Sequence, residues 1–204
     1  MACCAIIELA RPKSSAPPPA AEPYRWAAIQ HIRLISMTDY LRLVDTHTDG
    51  RRYDVTPLFA DSAAFAAVVA DLGRPFTTTP FDYVAGIDAL GFVLGAALAI
   101  HLKKGFIPIR KGGKLPVATD RISFVDYTGA QTCLELRSDA ISPGAGVLVV
   151  DEWIETGAQV KAAIELIELQ GGTVVGVATI NMDSNALTQQ LRAKYNCHVL
   201  QEDG

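Results

Sequence analysis

The run Val147-Leu148-Val149-Val150, followed at once by Asp151 and Glu152, constrains this chain more than any other stretch. Four consecutive apolar residues leave no face for water, so the run fits a strand buried on both sides, as in the middle of a parallel sheet. After Trp153-Ile154-Glu155 comes Thr156-Gly157-Ala158-Gln159, and then Val160, Ala163, Ile164 and Ile167 fall on one helical face. A strand therefore delivers two acids near its carboxyl end, and a helix opens a few residues later. Free N–H groups at that helix start, together with the helix dipole, point at one small volume suited to a phosphate monoester. The adjacent carboxylates suit vicinal hydroxyls, because a charged acceptor strengthens each hydrogen bond. A sugar carrying both a diol and a phosphate would match. On these residues alone, an ordinary strand-to-helix turn with an acidic rim fits equally well.

The rest of the pattern supplies neighbours for that strand. Asp61 precedes Ser62-Ala63-Ala64-Phe65, an N-cap and the start of an amphipathic helix that Gly73 can close. Tyr83 to Ile87 reads as a short strand, Gly91 to Leu102 as an almost wholly apolar helix, and Phe106 to Ile109 as a second strand after Gly105. Between Lys111 and Ser138 the chain turns polar, with alternating runs at Ile122 to Tyr127 and Thr132 to Leu136, which predicts an antiparallel flap leaving the main body. Pro143-Gly144 turns into the central strand, Gly171-Gly172 ends the following helix, and Thr173 to Ile180 is a further strand. Residues 1–23, with Pro17, Pro18 and Pro19, read as an extended appendage, and 24–204 as one domain whose first stretch, Tyr24 to Leu43, has helical spacing at Met37, Tyr40, Leu41 and Val44. Strands alternating with helices give an α/β fold: a doubly wound, mainly parallel sheet flanked by helices, with a small flap or hood. Ligands of such sheets sit beyond the carboxyl ends of the strands.

Composition removes some alternatives. The net charge of -4 argues against sequence-independent nucleic-acid binding, which needs a basic face. No apolar run approaches the roughly 20 residues that span a bilayer, so no membrane partner is expected. Cys3, Cys4, Cys133 and Cys197 show neither metal-ligand spacing nor a disulfide framework, and reduced thiols in a cytoplasmic setting are expected.

Four segments carry a resemblance. Val147 to Gln159 resembles the phosphoribosyl pyrophosphate signature of type I phosphoribosyltransferases: an apolar strand, two acids, two apolar residues, then ATGGT. Ala85 to Phe92 resembles the AGLDSRGF pyrophosphate loop of the adenine-type enzymes, Arg110 to Pro116 their RKRGKLP segment, and Asp54 to Leu58 their DISPL segment. The pieces stand in family order between about Ser36 and Asp183. The resemblance implies the type I phosphoribosyltransferase fold, a homodimer, and purine salvage: adenine plus phosphoribosyl pyrophosphate giving AMP and pyrophosphate, with Mg²⁺ brought through pyrophosphate and water rather than held directly. It implies that Asp151 and Glu152 hold the ribose hydroxyls and that backbone amides of Glu155, Thr156, Gly157, Ala158 and Gln159 hold the 5-phosphate. It places pyrophosphate against Asp88, Ala89 and Leu90, with a cis peptide at Asp88–Ala89, and sets Lys111 and Lys114 to neutralise it. Asp126 and Tyr127 would meet the base, and Arg52 and Tyr53 lie where the family contacts it.

The chain departs from the family pattern at four places. Leu90 stands where arginine is usual, losing a fork-shaped donor that lysine cannot mimic. Asp126 replaces a glutamate, shorter by one methylene. Ala158-Gln159 replaces Gly-Thr, and Glu155 replaces alanine. A carboxylate at ~5 Å from a phosphate is repelled by ~3 kcal/mol at an effective dielectric near 20, so Glu155 should point to solvent unless the pocket declines a bare 5-phosphate. These departures keep a second class open: a weak or inactive relative that binds phosphoribosyl pyrophosphate or a nucleotide as a sensor. A phosphoribosyltransferase for another base is a third reading.

Overall fold

The computed structural model describes residues 39–48 and 53–201, all within one compact unit, Leu34–Gly204. The central run behaves as its composition demands. Strand β5 (Gly146–Ile154) lies between β1 (Tyr83–Ile87) and β6 (Thr173–Met182), parallel to both. Val147 and Val149 point into one core with helix α4 (Ala158–Leu169), whereas Leu148 and Val150 point into the other with α2 (Ser62–Gly73) and α3 (Leu90–Leu102). All four valine and leucine side chains are fully buried. At ~25 cal/mol per Å² of apolar surface, each such residue contributes roughly 1.5–3 kcal/mol, so this strand is the anchor of both layers.

The sheet has seven strands in the order β3-β4-β2-β1-β5-β6-β7. Strands β2 (Gly105–Lys111), β1, β5, β6 and β7 (Cys197–Gln201) run parallel. The flap is the antiparallel hairpin of β3 (Thr119–Val125) and β4 (Gln131–Arg137). It is tied to the body more firmly than its polarity suggests. β4 pairs with β2 through Arg110↔Glu135 and Lys111↔Leu134, which makes the flap a continuation of the sheet. Ile122 and Phe124 of β3 pack against the same core as α4, and Gln170 just beyond α4 donates to Asp120 and to the Arg137 carbonyl, both at 2.8 Å.

Local signals mostly hold. Asp61 caps α2 by accepting from Ala63 and Ala64 N–H. Gly73 does not close that helix: it stays right-handed, and the chain tightens into a 3-10 turn over Arg74–Phe76. Helix α3 ends instead on Lys103, a left-handed residue, so Gly105 is free to begin β2. Of the stretch with helical spacing, the described part is a 3-10 turn over Asp39–Leu43, with Val44 beyond it; residues 24–38, Met37 among them, lie outside those described. Short α1 (Thr56–Ala60) starts where Asp54 accepts from the Thr56 N–H and hydroxyl. Helix α5 (Ala186–Lys194), capped by Asn185, leads into edge strand β7, and neither was anticipated from the sequence.

Candidate active site

Every functional segment except one converges on the carboxyl ends of β1, β2 and β5. A cleft of about 440 Å³ is lined by Asp88, Ala89, Leu90, Lys111, Asp126, Tyr127, Asp151, Glu152 and Gln159, with Thr132 beside them. Of the turn after the acids, Glu155, Thr156 and Gly157 border a narrow extension of the same cleft together with Phe124, Asp126, Tyr127 and Trp153, whereas Ala158 lines neither part. Arg52 lies outside the described residues.

The acids belong to the strand itself. Because β5 continues to Ile154 rather than stopping at Val150, Asp151 and Glu152 project from its last turn of pleat to opposite sides. Asp151 is only 3% exposed, not at an open end, because the amino end of α3 covers it. A Cβ on Gly91 would stand 2.7 Å from the Val150 carbonyl oxygen and 3.1 Å from Asp151 Oδ1, so only glycine lets α3 lie this close. The Asp151 carboxylate accepts from the Glu152 N–H at 3.0 Å and from Gln159 Nε2 at 3.1 Å. Gln159, the residue that replaces the usual threonine, thus turns its side chain onto Asp151. Glu152 is half-buried, and among the described residues its carboxylate has no partner, which leaves it open to the cleft.

The turn after the acids is held from outside by α5. Gly157 is the N-cap of α4 at φ 80°, a left-handed conformation that a side chain would oppose. Asn185 Nδ2 donates to the Glu155 carbonyl at 2.7 Å, and Leu187, Thr188 and Leu191 pack around Gly157. Thr156 Oγ1 accepts from the Ala158 N–H at 3.2 Å. Gly157, the N-cap of α4, offers no side chain to the helix's first turn, so apart from the Ala158 N–H that Thr156 meets, the start of α4 has the arrangement an anion site needs. Glu155 does not turn fully to solvent: it is half-buried and borders the gap between this turn and the flap.

Asp88 and the lysine loop form the other wall. The Asp88–Ala89 peptide is cis. Asp88 is 8% exposed, its carboxylate lies 3.4 Å from both the Lys111 N–H and Lys114 Nζ, and its own N–H donates to the Ile109 carbonyl. Lys111 falls at the end of β2 rather than in a loop, so its side chain is aimed by the sheet. Leu90 is 37% exposed at the cleft mouth and puts an apolar group where the family pattern has arginine.

At the flap tip, Asp126 is chiefly a turn residue. Its Oδ1 accepts from the Thr128 hydroxyl and from the N–H groups of Thr128 and Ala130. The Thr128 hydroxyl is the largest cause of a carboxyl pKa below the ordinary value; burial opposes it, and the two N–H groups and the Lys111 charge add to it. Asp126 therefore stays an anion, able to accept a hydrogen bond from a base but a poor proton donor. Tyr127 is exposed and lines both parts of the cleft.

Sequence reasoning missed three contributors. Trp153 is buried, meets the Tyr53 ring edge-on at 5.2 Å between centroids, and donates from Nε1 to Asp183. It brings Tyr53 beside the cleft. Phe124 was visible only as one member of an alternating run. Glu135 is a fully buried carboxylate in β4, and nothing but its apolar neighbours Leu134 and Leu136 signals it.

Residues 61–202 match the phosphoribosyl transferase domain family. The adenine phosphoribosyltransferase of Cereibacter sphaeroides is 44% identical over 148 residues, 71% of this chain and 82% of the relative. The solved adenine phosphoribosyltransferase of Rhodothermus marinus superposes with a TM-score of 0.74 at 31% identity, covering 81% of this chain and 97% of that one. The Giardia lamblia enzyme, solved with 9-deazaadenine, superposes with a TM-score of 0.75 at 25% identity over 83% of this chain and 98% of that one. With its mixed seven-stranded sheet and these matches, the chain belongs to the phosphoribosyl transferase domain family, alongside the adenine phosphoribosyltransferases it resembles.

Proposed function

We propose that this protein transfers ribose 5-phosphate from phosphoribosyl pyrophosphate to adenine, giving AMP and pyrophosphate. The observation that carries this reading is the single cleft shared by Asp88–Leu90, Lys111, Asp126–Tyr127, Asp151–Glu152 and Gln159, four segments distant in sequence. The names of the relatives support adenine as the base.

The geometry supports the following parts. Glu152, open to the cleft, and Asp151, oriented by Gln159, accept hydrogen bonds from the ribose hydroxyls. Amides from Glu155 to Gln159 face the 5-phosphate at the start of α4. Thr156 is exposed there and serves as an added donor, and the helix dipole, worth ~0.3–1 kcal/mol, offsets part of the repulsion from Glu155. Pyrophosphate lies against Asp88, Ala89 and Leu90, with Lys111 and Lys114 as its cations. In the reaction the bond from ribose C1 to a pyrophosphate oxygen breaks, the oxygen keeps the electron pair, and a ring nitrogen of the base bonds to C1 as its proton leaves. Positive charge grows on the sugar ring, as in glycoside cleavage, and the Asp151–Glu152 pair beside it favours that charge. Among the described residues no group of three acids is arranged to hold a metal ion, so Mg²⁺, a hard cation that prefers oxygen ligands, would be held by the oxygens of pyrophosphate and water and would screen the leaving group there. Phe124, Asp126 and Tyr127 face the phosphate turn across the narrow extension, so the hairpin serves as the lid that keeps water from C1. Pyrophosphate release measured with Mg²⁺ and a panel of bases tests the reading, with adenine expected to be fastest.

A homodimer accompanies this reading. Helix α3 turns Leu90, Val93 and Ile100 outward on one face, with Ile100 81% exposed, an apolar strip that a second copy would cover. Sedimentation at micromolar concentration should give twice 21.8 kDa, and the single mass would refute it.

A further inference from the structure

Glu135 is the one fully buried carboxylate among the described residues that the proposed reaction does not use. It sits at the junction of three strands, opposite Arg110 of β2 and Arg121 of β3. Its Oε1 accepts from the Lys114 N–H at 2.6 Å and the Leu115 N–H at 2.7 Å, and its Oε2 accepts from the Gly113 N–H at 2.9 Å. Arg121 Nη2 lies 3.1 Å from the same Oε2. These four donors fill the roughly four lone-pair sites of a carboxylate. Arg110 Nη1 adds a bond to the Lys114 carbonyl at 3.3 Å, so the same residue's peptide is held on both sides. Burial raises the Glu135 pKa, but the three loop N–H groups and the Arg121 charge outweigh it, and the net shift is downward. The group stays ionised.

We propose that Glu135 is the positioning residue for the leaving-group lysines: from the flap it fixes the Gly113–Leu115 backbone and thereby aims Lys114, beside Lys111, at the Asp88–Leu90 wall of the cleft. The inference rests on the reaction proposed above. It gives the flap a mechanical role, because the strand that carries Asp126 and Tyr127 at its tip is bonded to the strand that holds the lysine loop. A carboxylate is required. Glutamine offers one acceptor oxygen and turns an N–H₂ toward a loop amide, so at least one of the three N–H groups loses its partner.

The test pairs Glu135→Gln with Lys114→Ala. Glu135→Gln should lower kcat by about 10- to 100-fold, the scale of a ~1 Å misplacement, and leave the KM for adenine unchanged. Hydrogen exchange at Gly113, Lys114 and Leu115 should speed up while exchange in β5 and β6 does not. In the Lys114→Ala background the same change should cost less than about 3-fold, because effects through one shared group do not add. Equal costs in both backgrounds, or unchanged loop exchange, would overturn the proposal. If Glu135→Gln fails to fold, Glu135→Asp makes the same comparison, since it keeps the charge and draws back from the loop. A parent with no turnover on any base defeats the reaction reading. Loop exchange and the affinity for Mg²⁺-pyrophosphate then decide the role of Glu135 by the same criteria.

Discussion

Changing Asp151 to Asn and Glu152 to Gln together should abolish most turnover while leaving the fold in place. Hydrogen bonds to charged groups contribute ~1.5–3 kcal/mol, against ~1 kcal/mol for neutral ones. Two diol contacts therefore lose ~1–4 kcal/mol of binding, a fall of roughly 5- to 1000-fold in affinity for phosphoribosyl pyrophosphate. Turnover should fall by a further ~10-fold or more, because the missing charge also faced the cationic sugar of the transition state. Stability should hold although Asp151 is buried. Gln159 can reverse its amide to meet an asparagine N–H₂, and the Glu152 N–H keeps its acceptor. The melting temperature should move by less than ~4 °C, which is ~1 kcal/mol for a chain of this size. Parental kcat in the double variant would show that the acids do not hold the diol, and an unfolded variant would make them structural.

Gly91→Ala should cost the protein more function than stability. At 2.7 Å from the Val150 carbonyl oxygen, the new Cβ meets backbone rather than a flexible side-chain tip, so α3 has to move off β5. Overpacking of this kind costs ~1–3 kcal/mol, or ~2–12 °C in melting temperature at ~2–4 °C per kcal/mol. The functional loss should be greater. Asp88, Ala89 and Leu90 ride on the start of α3, and Asp151 lies beneath it, so one shift separates the proposed pyrophosphate wall from the proposed diol acids. A displacement of ~1 Å predicts a ~10²-fold fall in kcat/KM. A variant with parental stability and activity would mean that α3 does not pack on β5 as described.

What was legible in the sequence follows from the range of the forces involved. Val147 to Val150 announced a central strand because burial on both faces leaves no other pattern, and Asp61 announced a helix start because its cap is local. The turn after β5 was readable for the same reason: its acids, Gly157 and helix start lie within a few residues. Long-range partners were not. The strand ran on to Ile154 because β6 offers pairing as far as Met182, a fact no local window contains. The polarity of the flap suggested a detached hairpin, yet Arg110↔Glu135 joins it to the sheet. Asp151 read as an exposed rim acid because the glycine that lets α3 cover it is 60 positions earlier. Glu135 looked like any polar residue on an alternating strand; only the arrival of the loop at Gly113–Leu115 gives it partners. Asp126 was read for its contact with the base, and its turn-forming bonds to Thr128 and Ala130 came to light only with the hairpin geometry.

The most direct test is to incubate the purified protein with phosphoribosyl pyrophosphate, Mg²⁺ and either adenine or no base, and to quantify AMP and pyrophosphate together. The cleft described here predicts that pyrophosphate appears only when a base is present, that adenine outpaces hypoxanthine and guanine, and that AMP and pyrophosphate form in equal amounts because the flap keeps water from the ribose carbon. Tight binding of phosphoribosyl pyrophosphate with no pyrophosphate released for any base would contradict the enzyme and leave a sensor in its place.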